Sequence, residues 1–241
     1  MKGICGRRGN FRSIIICSQK RIVYEEMYEV MRFIEHGAHC RQSMDCVRGM
    51  LMAEFLRRNP RQKKTDLFCW FRGLCVCLDQ YHRSRKGRKD YRYLNPYSIV
   101  VTEENQLCLL DLEAPSNSFA VKQMQRRAVR DHFVKPVCEM GMEKEYKADL
   151  FAYGRMLQFL LAYIVVEPSL TRMEELRLAI VIGRCTGEKR GKYENIGQVM
   201  RALPSVPKEE RMSGRRRKRL AVGACICVML CFVVTVIKGG I

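Results

Sequence analysis

The sequence predicts an α+β domain that is mainly helical with little sheet, followed by one apolar segment long enough to span a bilayer. Three observations carry this. Apolar residues recur at helical spacing over long stretches, whereas strand-like runs are few and short. Apolar residues make up 47% of the 241, enough for an ordinary globular core. Residues 220–237 contain no charged residue at all.

Ser13–Cys17 (SIIIC) is a β-branched run and reads as a short strand. Tyr24, Met27, Tyr28, Met31 and Ile34 recur at helical spacing, which predicts a helix stopped by Gly37. Met50–Arg58 predicts a second helix, ended near Pro60. Thr65 is placed to cap a third over Asp66–Tyr81, with Leu67, Phe71, Leu74, Leu78 and Tyr81 on its apolar face and Trp70 beside it. Ser98–Val101 (SIVV) and Gln106–Leu110 (QLCLL) flank the turn-like Thr102-Glu103-Glu104-Asn105 and predict a hairpin. Ala114–Lys147 is polar and irregular, with one or two helical turns over Gln123–Asp131. Asp149 opens a helix apolar almost all round, through Leu150, Phe151, Tyr153, Met156, Leu157 and Leu160, which belongs at the centre of a domain. Two more helices are predicted over Thr171–Arg184 and Ile196–Leu203.

The thirteen cysteines are scattered, and residues 1–12 lack the pattern of a secretory signal. Cys75 and Cys77 do not have zinc-ligand spacing, and no Cys–His cluster completes a metal site. The thiols read as small apolar side chains in a reducing compartment. The net charge is +19. Residues 211–241 hold seven Lys or Arg and no acid, and the remaining excess is spread over residues 1–210. The basic loop Arg83–Lys89 and the basic tail are separate clusters without a nucleic-acid motif, so a specific nucleic-acid partner is not expected.

Leu220–Ile237 (LAVGACICVMLCFVVTVI), as a helix, covers about 27 Å, near the hydrocarbon thickness of a bilayer. Arg215, Arg216, Arg217, Lys218 and Arg219 stand immediately before it, and Lys238 to Ile241 follow. The positive-inside rule then places the N-terminal domain in the cytosol and the C-terminus outside, in a single-pass cell-membrane protein. The same five cations are expected to attract anionic lipid headgroups.

Tyr91-Arg92-Tyr93-Leu94-Asn95-Pro96-Tyr97-Ser98, followed by an apolar strand, resembles the catalytic loop of protein kinases, H-R-D-L-K-P-x-N. Leu109-Leu110-Asp111-Leu112-Glu113 resembles the strand and D-F-G that come next. Asp149-Leu150-Phe151-Ala152-Tyr153-Gly154 resembles the D-x-W/Y-S-x-G start of the family's central buried helix, and Cys185–Leu203 its closing segment. Asp45–Gly49 takes the place of the hinge. The resemblance covers residues 45–203 and implies a mainly helical kinase-like C-lobe. Residues 1–44 would be a truncated N-lobe, 204–219 a basic juxtamembrane linker, 220–237 the transmembrane helix and 238–241 a short outer tail.

Within that resemblance the catalytic positions have been replaced. Tyr93 stands where the family has its proton-accepting Asp, and a phenol, with an ordinary pKa of roughly 10, is a poor base at neutral pH. Asn95 replaces the charge-neutralising Lys, and Ser98 the metal-binding Asn. Glu113 replaces the glycine of D-F-G, and no glycine-rich loop or V-A-I-K-like strand precedes. Asp111 alone remains as a ligand for Mg²⁺ and ATP. Arg92 and Asp149 are expected to be structural, with Asp149 hydrogen-bonding the loop backbone. The expected function is a catalytically inactive, membrane-tethered pseudokinase that scaffolds protein partners and needs no cofactor. In plan it is similar to the EssB-type pseudokinase of type VII secretion, from which it departs in having no domain after the membrane segment. The alternative is a divergent ATP-dependent kinase with another base, for which His82, Asp90 and Asp131 are the candidates.

Overall fold

The computed structural model describes residues 13–15, 23–37, 39–84, 90–134 and 147–207. In chain order the elements begin with strands β1 (Ser13–Ile15), β2 (Val23–His36) and β3 (His39–Leu51). Helix α1 (Met52–Arg58), strand β4 (Arg61–Lys63) and helix α2 (Lys64–Ser84) follow. Next come β5 (Ile99–Thr102), β6 (Leu107–Leu110), a 3-10 turn at Pro115–Asn117, α3 (Ser118–Met124) and α4 (Arg127–Phe133). The described chain closes with α5 (Lys147–Tyr163), β7 (Val165–Glu167), α6 (Arg172–Thr186) and α7 (Ile196–Ala202).

The segment Tyr24–Ile34 is a strand, not the helix its spacing predicts. β2 and β3 form a long antiparallel hairpin paired from Glu26↔Gly49 to His36↔His39. Tyr28 and Val30 join one apolar cluster while Met31 joins another, so both faces of the strand carry apolar residues. Such a strand offers no clean alternation and matches a buried helix by spacing alone. Gly37, at φ +59°, closes the hairpin turn. The left-handed conformation that ends helices also turns hairpins, so the glycine did not discriminate. The hinge-like Asp45–Gly49 lies inside β3, and the boundary at residue 44 falls within that continuous strand.

The sheet then closes on itself. β3 pairs with β5 from Gly49↔Thr102 to Leu51↔Val100, β5 pairs with β6, and β6 returns to β2 through Val30↔Leu110 and Met31↔Leu109. The result is a closed four-stranded antiparallel barrel, β2-β3-β5-β6. Closure depends on Gly49: a Cβ there would stand 2.5 Å from the Val101 carbonyl oxygen. The expected fold class is corrected accordingly. β2 and the start of β3, from the segment read as a truncated N-lobe, and the hairpin β5–β6, read as part of a mainly helical C-lobe, belong to one barrel, continued by a helical body. Among the described residues no helix is long and apolar enough to cross a membrane. The described helices therefore do not supply the transmembrane helix of the expected fold class; residues 220–237, where it was expected, and Arg215–Arg219 lie outside the described residues.

The helical body follows the predicted pattern more closely. α2 buries Leu67, Trp70, Phe71, Leu74, Leu78 and Tyr81, and α5 buries Leu150, Phe151, Tyr153, Met156, Leu157 and Leu160. Ile99, Val101 and Leu109 of the barrel join this main core, while Val100, Cys108 and Leu110 join a second one with Tyr28, Val30, Val47, Leu51, Ala120 and Met124. The strands thus present alternate residues to two cores, as the period of two requires. Gly154 lets α5 approach α6, since a Cβ there would meet the Cys185 Cβ at 2.7 Å. Thr65 lies inside α2 rather than capping it.

Candidate functional site

Tyr91–Ser98 is an irregular segment leading into β5, and its backbone is held from beneath by α5. Asp149, on the first turn of that helix, is fully buried. Its carboxylate accepts the Tyr91 N–H at 2.7 Å on Oδ2 and the Arg92 N–H at 2.7 Å on Oδ1. His82, near the end of α2, meets the same Oδ2 through Nε2 at 2.7 Å. The clamp fixes Arg92 at φ +63°, a left-handed conformation that non-glycine residues adopt at a cost of about 1–2 kcal/mol. The Arg92 side chain is exposed, so its contribution to the loop is its amide rather than its guanidinium.

A phenol ties the loop to the barrel. The Tyr91 hydroxyl donates to the Leu110 carbonyl at 2.9 Å, and burial pushes this phenol well above its usual range, keeping it a donor. Leu110 N–H donates to the Ser98 carbonyl at 2.9 Å, which brings the loop beside Asp111. Asn117, in the 3-10 turn, donates from Nδ2 to the Asp111 carbonyl at 2.7 Å and to the Glu29 carbonyl at 2.8 Å. Nothing in the local sequence marks Asn117 for this role, and the aromatic ring of Tyr91 alone does not reveal the partner of its hydroxyl.

The predicted site residues are brought together, but their polar atoms are engaged locally. Asn95 donates from Nδ2 to the Tyr93 carbonyl at 2.6 Å and accepts the Tyr97 N–H on Oδ1 at 2.9 Å. Ser98 is fully buried; its hydroxyl donates to the Asn95 carbonyl and accepts the Asn95 N–H, both at 3.0 Å. Asp111 is 5% exposed, and its Oδ1 accepts the Glu113 N–H at 3.1 Å. The Tyr93 side chain is half-exposed and faces a cavity of about 430 Å³. Leu94, Asn95, Met124, Val129, Arg130 and Phe133 share its lining. This cavity joins the loop to α3 and α4, a surface that spacing along the chain did not reveal.

Of the other candidate bases, Asp131 stands apart while His82 and Asp90 come together. Asp131 is exposed and lies within 3.3 Å of Arg127 and 3.7 Å of Arg130. His82, Asp90 and Asp149 place ligand atoms within 4.8 Å of one another, a donor set that could in principle take a divalent cation. The 2.7 Å contact between His82 and Asp149 is a hydrogen-bond length, and two backbone amides already occupy the Asp149 carboxylate. Their chemistry fits the holding of a loop better than the ligation of an ion. No protein-family model matches the chain, and a search of curated proteins found no match.

Proposed function

We propose that the chain is a catalytically inactive pseudokinase, a binding module that scaffolds protein partners at the cytosolic face of an anionic membrane. The observation that carries this reading is the clamp of Asp149 on the Tyr91 and Arg92 amides beneath a loop that presents Tyr93 instead of a carboxylate. A buried carboxylate that positions the loop is what the resemblance implies, whereas Tyr93, where the proton acceptor is expected, is a half-exposed phenol, and the Asn95 and Ser98 side chains are bonded within the loop. Phosphoryl transfer depends on positioned carboxylates, metal and cations, and Tyr93, Asn95 and Ser98 supply none of them. The cavity beside Tyr93 is the place for a partner's side chain. Arg215–Arg219 are the groups that anionic headgroups would draw to the membrane.

The test is phosphoryl transfer from ATP with Mg²⁺, by the full chain, to itself and to generic protein substrates. The expected result is no incorporation above a heat-inactivated control. Incorporation that disappears in Asp111→Ala would replace this reading with that of a divergent kinase.

A further inference from the structure

The outer face of α6 is unusual for a solvated helix. Thr171 caps the helix, and Leu178, Val181 and Cys185 turn inward. On the outer side Met173 is 60% exposed and Leu176 52%, and Ile180 is half-buried. At about 100° per residue these three fall on one stripe. Exposed Arg172 flanks the stripe on one side and exposed Arg177 and Arg184 on the other, all within a sector of about 140°. The two acids of the first turn lie elsewhere: Glu174 closes the capping box and pairs with Lys64, and Glu175 lies off the far edge of the stripe. Arg184 holds its guanidinium over the Tyr193 ring, 5.9 Å from its centroid, so Arg172 and Arg177 are the cations that stand clear on either side of the stripe.

We infer that this face of α6 lies against an anionic lipid surface. An apolar stripe bordered on both sides by arginine, with no acid inside the sector, is what an interfacial helix presents: the apolar side chains enter the acyl boundary and the guanidinium groups remain among the phosphates. An acidic protein would satisfy the arginines as well. Two further features of the chain favour lipid: its net charge of +19, and an uncharged apolar run at residues 220–237 behind five consecutive cations. The inference does not depend on what the cavity beside Tyr93 binds.

The test uses the full chain with an environment-sensitive fluorescent amino acid replacing Leu176 and, as a control, Glu175. Vesicles of phosphatidylcholine alone are compared with vesicles containing phosphatidylserine. A blue shift at 176 with phosphatidylserine, absent without it and absent at 175, is expected. Arg172→Gln and Arg177→Gln should each raise the phosphatidylserine fraction needed for the half-maximal shift, and added salt should do the same. Both exposed substitutions leave the core intact, so melting curves will match the parent. No shift at 176 while the protein sediments with the vesicles overturns the inference. So does an equal shift at 175 and 176. A shift without vesicles that grows with protein concentration assigns the face to a second copy of the chain instead, and also overturns it.

Discussion

Removing the Asp149 carboxylate should unlock the loop above it and cost the domain a large part of its stability. Three contacts of 2.7 Å converge on this one buried side chain, two from backbone amides and one from His82. Asp149→Ala strands the buried Tyr91 amide, leaves the part-buried Arg92 amide without this acceptor and takes from His82 this partner. Unsatisfied buried donors cost about 1–3 kcal/mol each, and breaking a buried charged network by one member costs about 3–5 kcal/mol. Relaxation of Arg92 out of its left-handed conformation returns about 1 kcal/mol, so the net loss should be near 3–4 kcal/mol. For a domain of this size that lowers the melting temperature by roughly 6–16 °C. Asp149→Asn keeps one accepting oxygen and should lose about half as much. Chemical denaturation followed by fluorescence of Trp70, buried in the main core, measures both. A cost below about 0.5 kcal/mol for the alanine variant would refute the clamp.

Other expectations follow from the same geometry. Gly49→Ala places a methyl group against the Val101 carbonyl and should cost about 1–3 kcal/mol, read as a lower denaturation midpoint. Burial pushes the Cys75 and Cys77 thiols up to about 12 and Cys185 still higher. Alkylation at pH 8 should therefore label exposed Cys69 but spare these three until denaturant is added, as peptide mass mapping would show. Burial acts to raise the Glu174 carboxyl, but the Thr171 amide and the Lys64 ammonium outweigh it and hold the group below the usual range. Its contribution is present above an unfolded pKa of roughly 4.3 and is lost as pH falls through the lower folded value. Thr171→Ala should cost about 1 kcal/mol at neutral pH, with a smaller difference from the parent in acid melts.

How much of this was legible in the sequence depended on how each element meets the core. α2 is legible because its apolar residues follow the helical period, α5 because a long run apolar almost all round fits only a central helix, and the hairpin β5–β6 because a polar turn separates two short apolar runs. β2 could not, because a barrel strand with apolar residues toward two cores loses the alternation that marks a strand. Barrel closure is a long-range property: Gly49 opposite Thr102, and Val30 opposite Leu110, have no local sequence signal. Tyr93, Asn95, Ser98 and Asp111, singled out by their order along the chain, lie around one loop. Asp149 bonds the loop backbone through the Tyr91 and Arg92 amides, contacts between residues 58 and 57 positions apart that no local pattern marks. The phenol of Tyr91 and the amide of Asn117 were missed because their roles arise only when the barrel brings Leu110 and Glu29 beside them.

The most direct test of the central claim is the melting temperature of the full chain with and without millimolar ATP and Mg²⁺. A ligand at 100 times its Kd would stabilise the fold by about 2.7 kcal/mol, a rise of roughly 5–11 °C. The account predicts no Mg²⁺-dependent shift, because Asn95 and Ser98 are bonded within the loop and the Asp111 carboxylate accepts the Glu113 amide. A clear Mg²⁺-dependent rise, abolished by Asp111→Ala, would contradict it and make Asp111 part of a working nucleotide site.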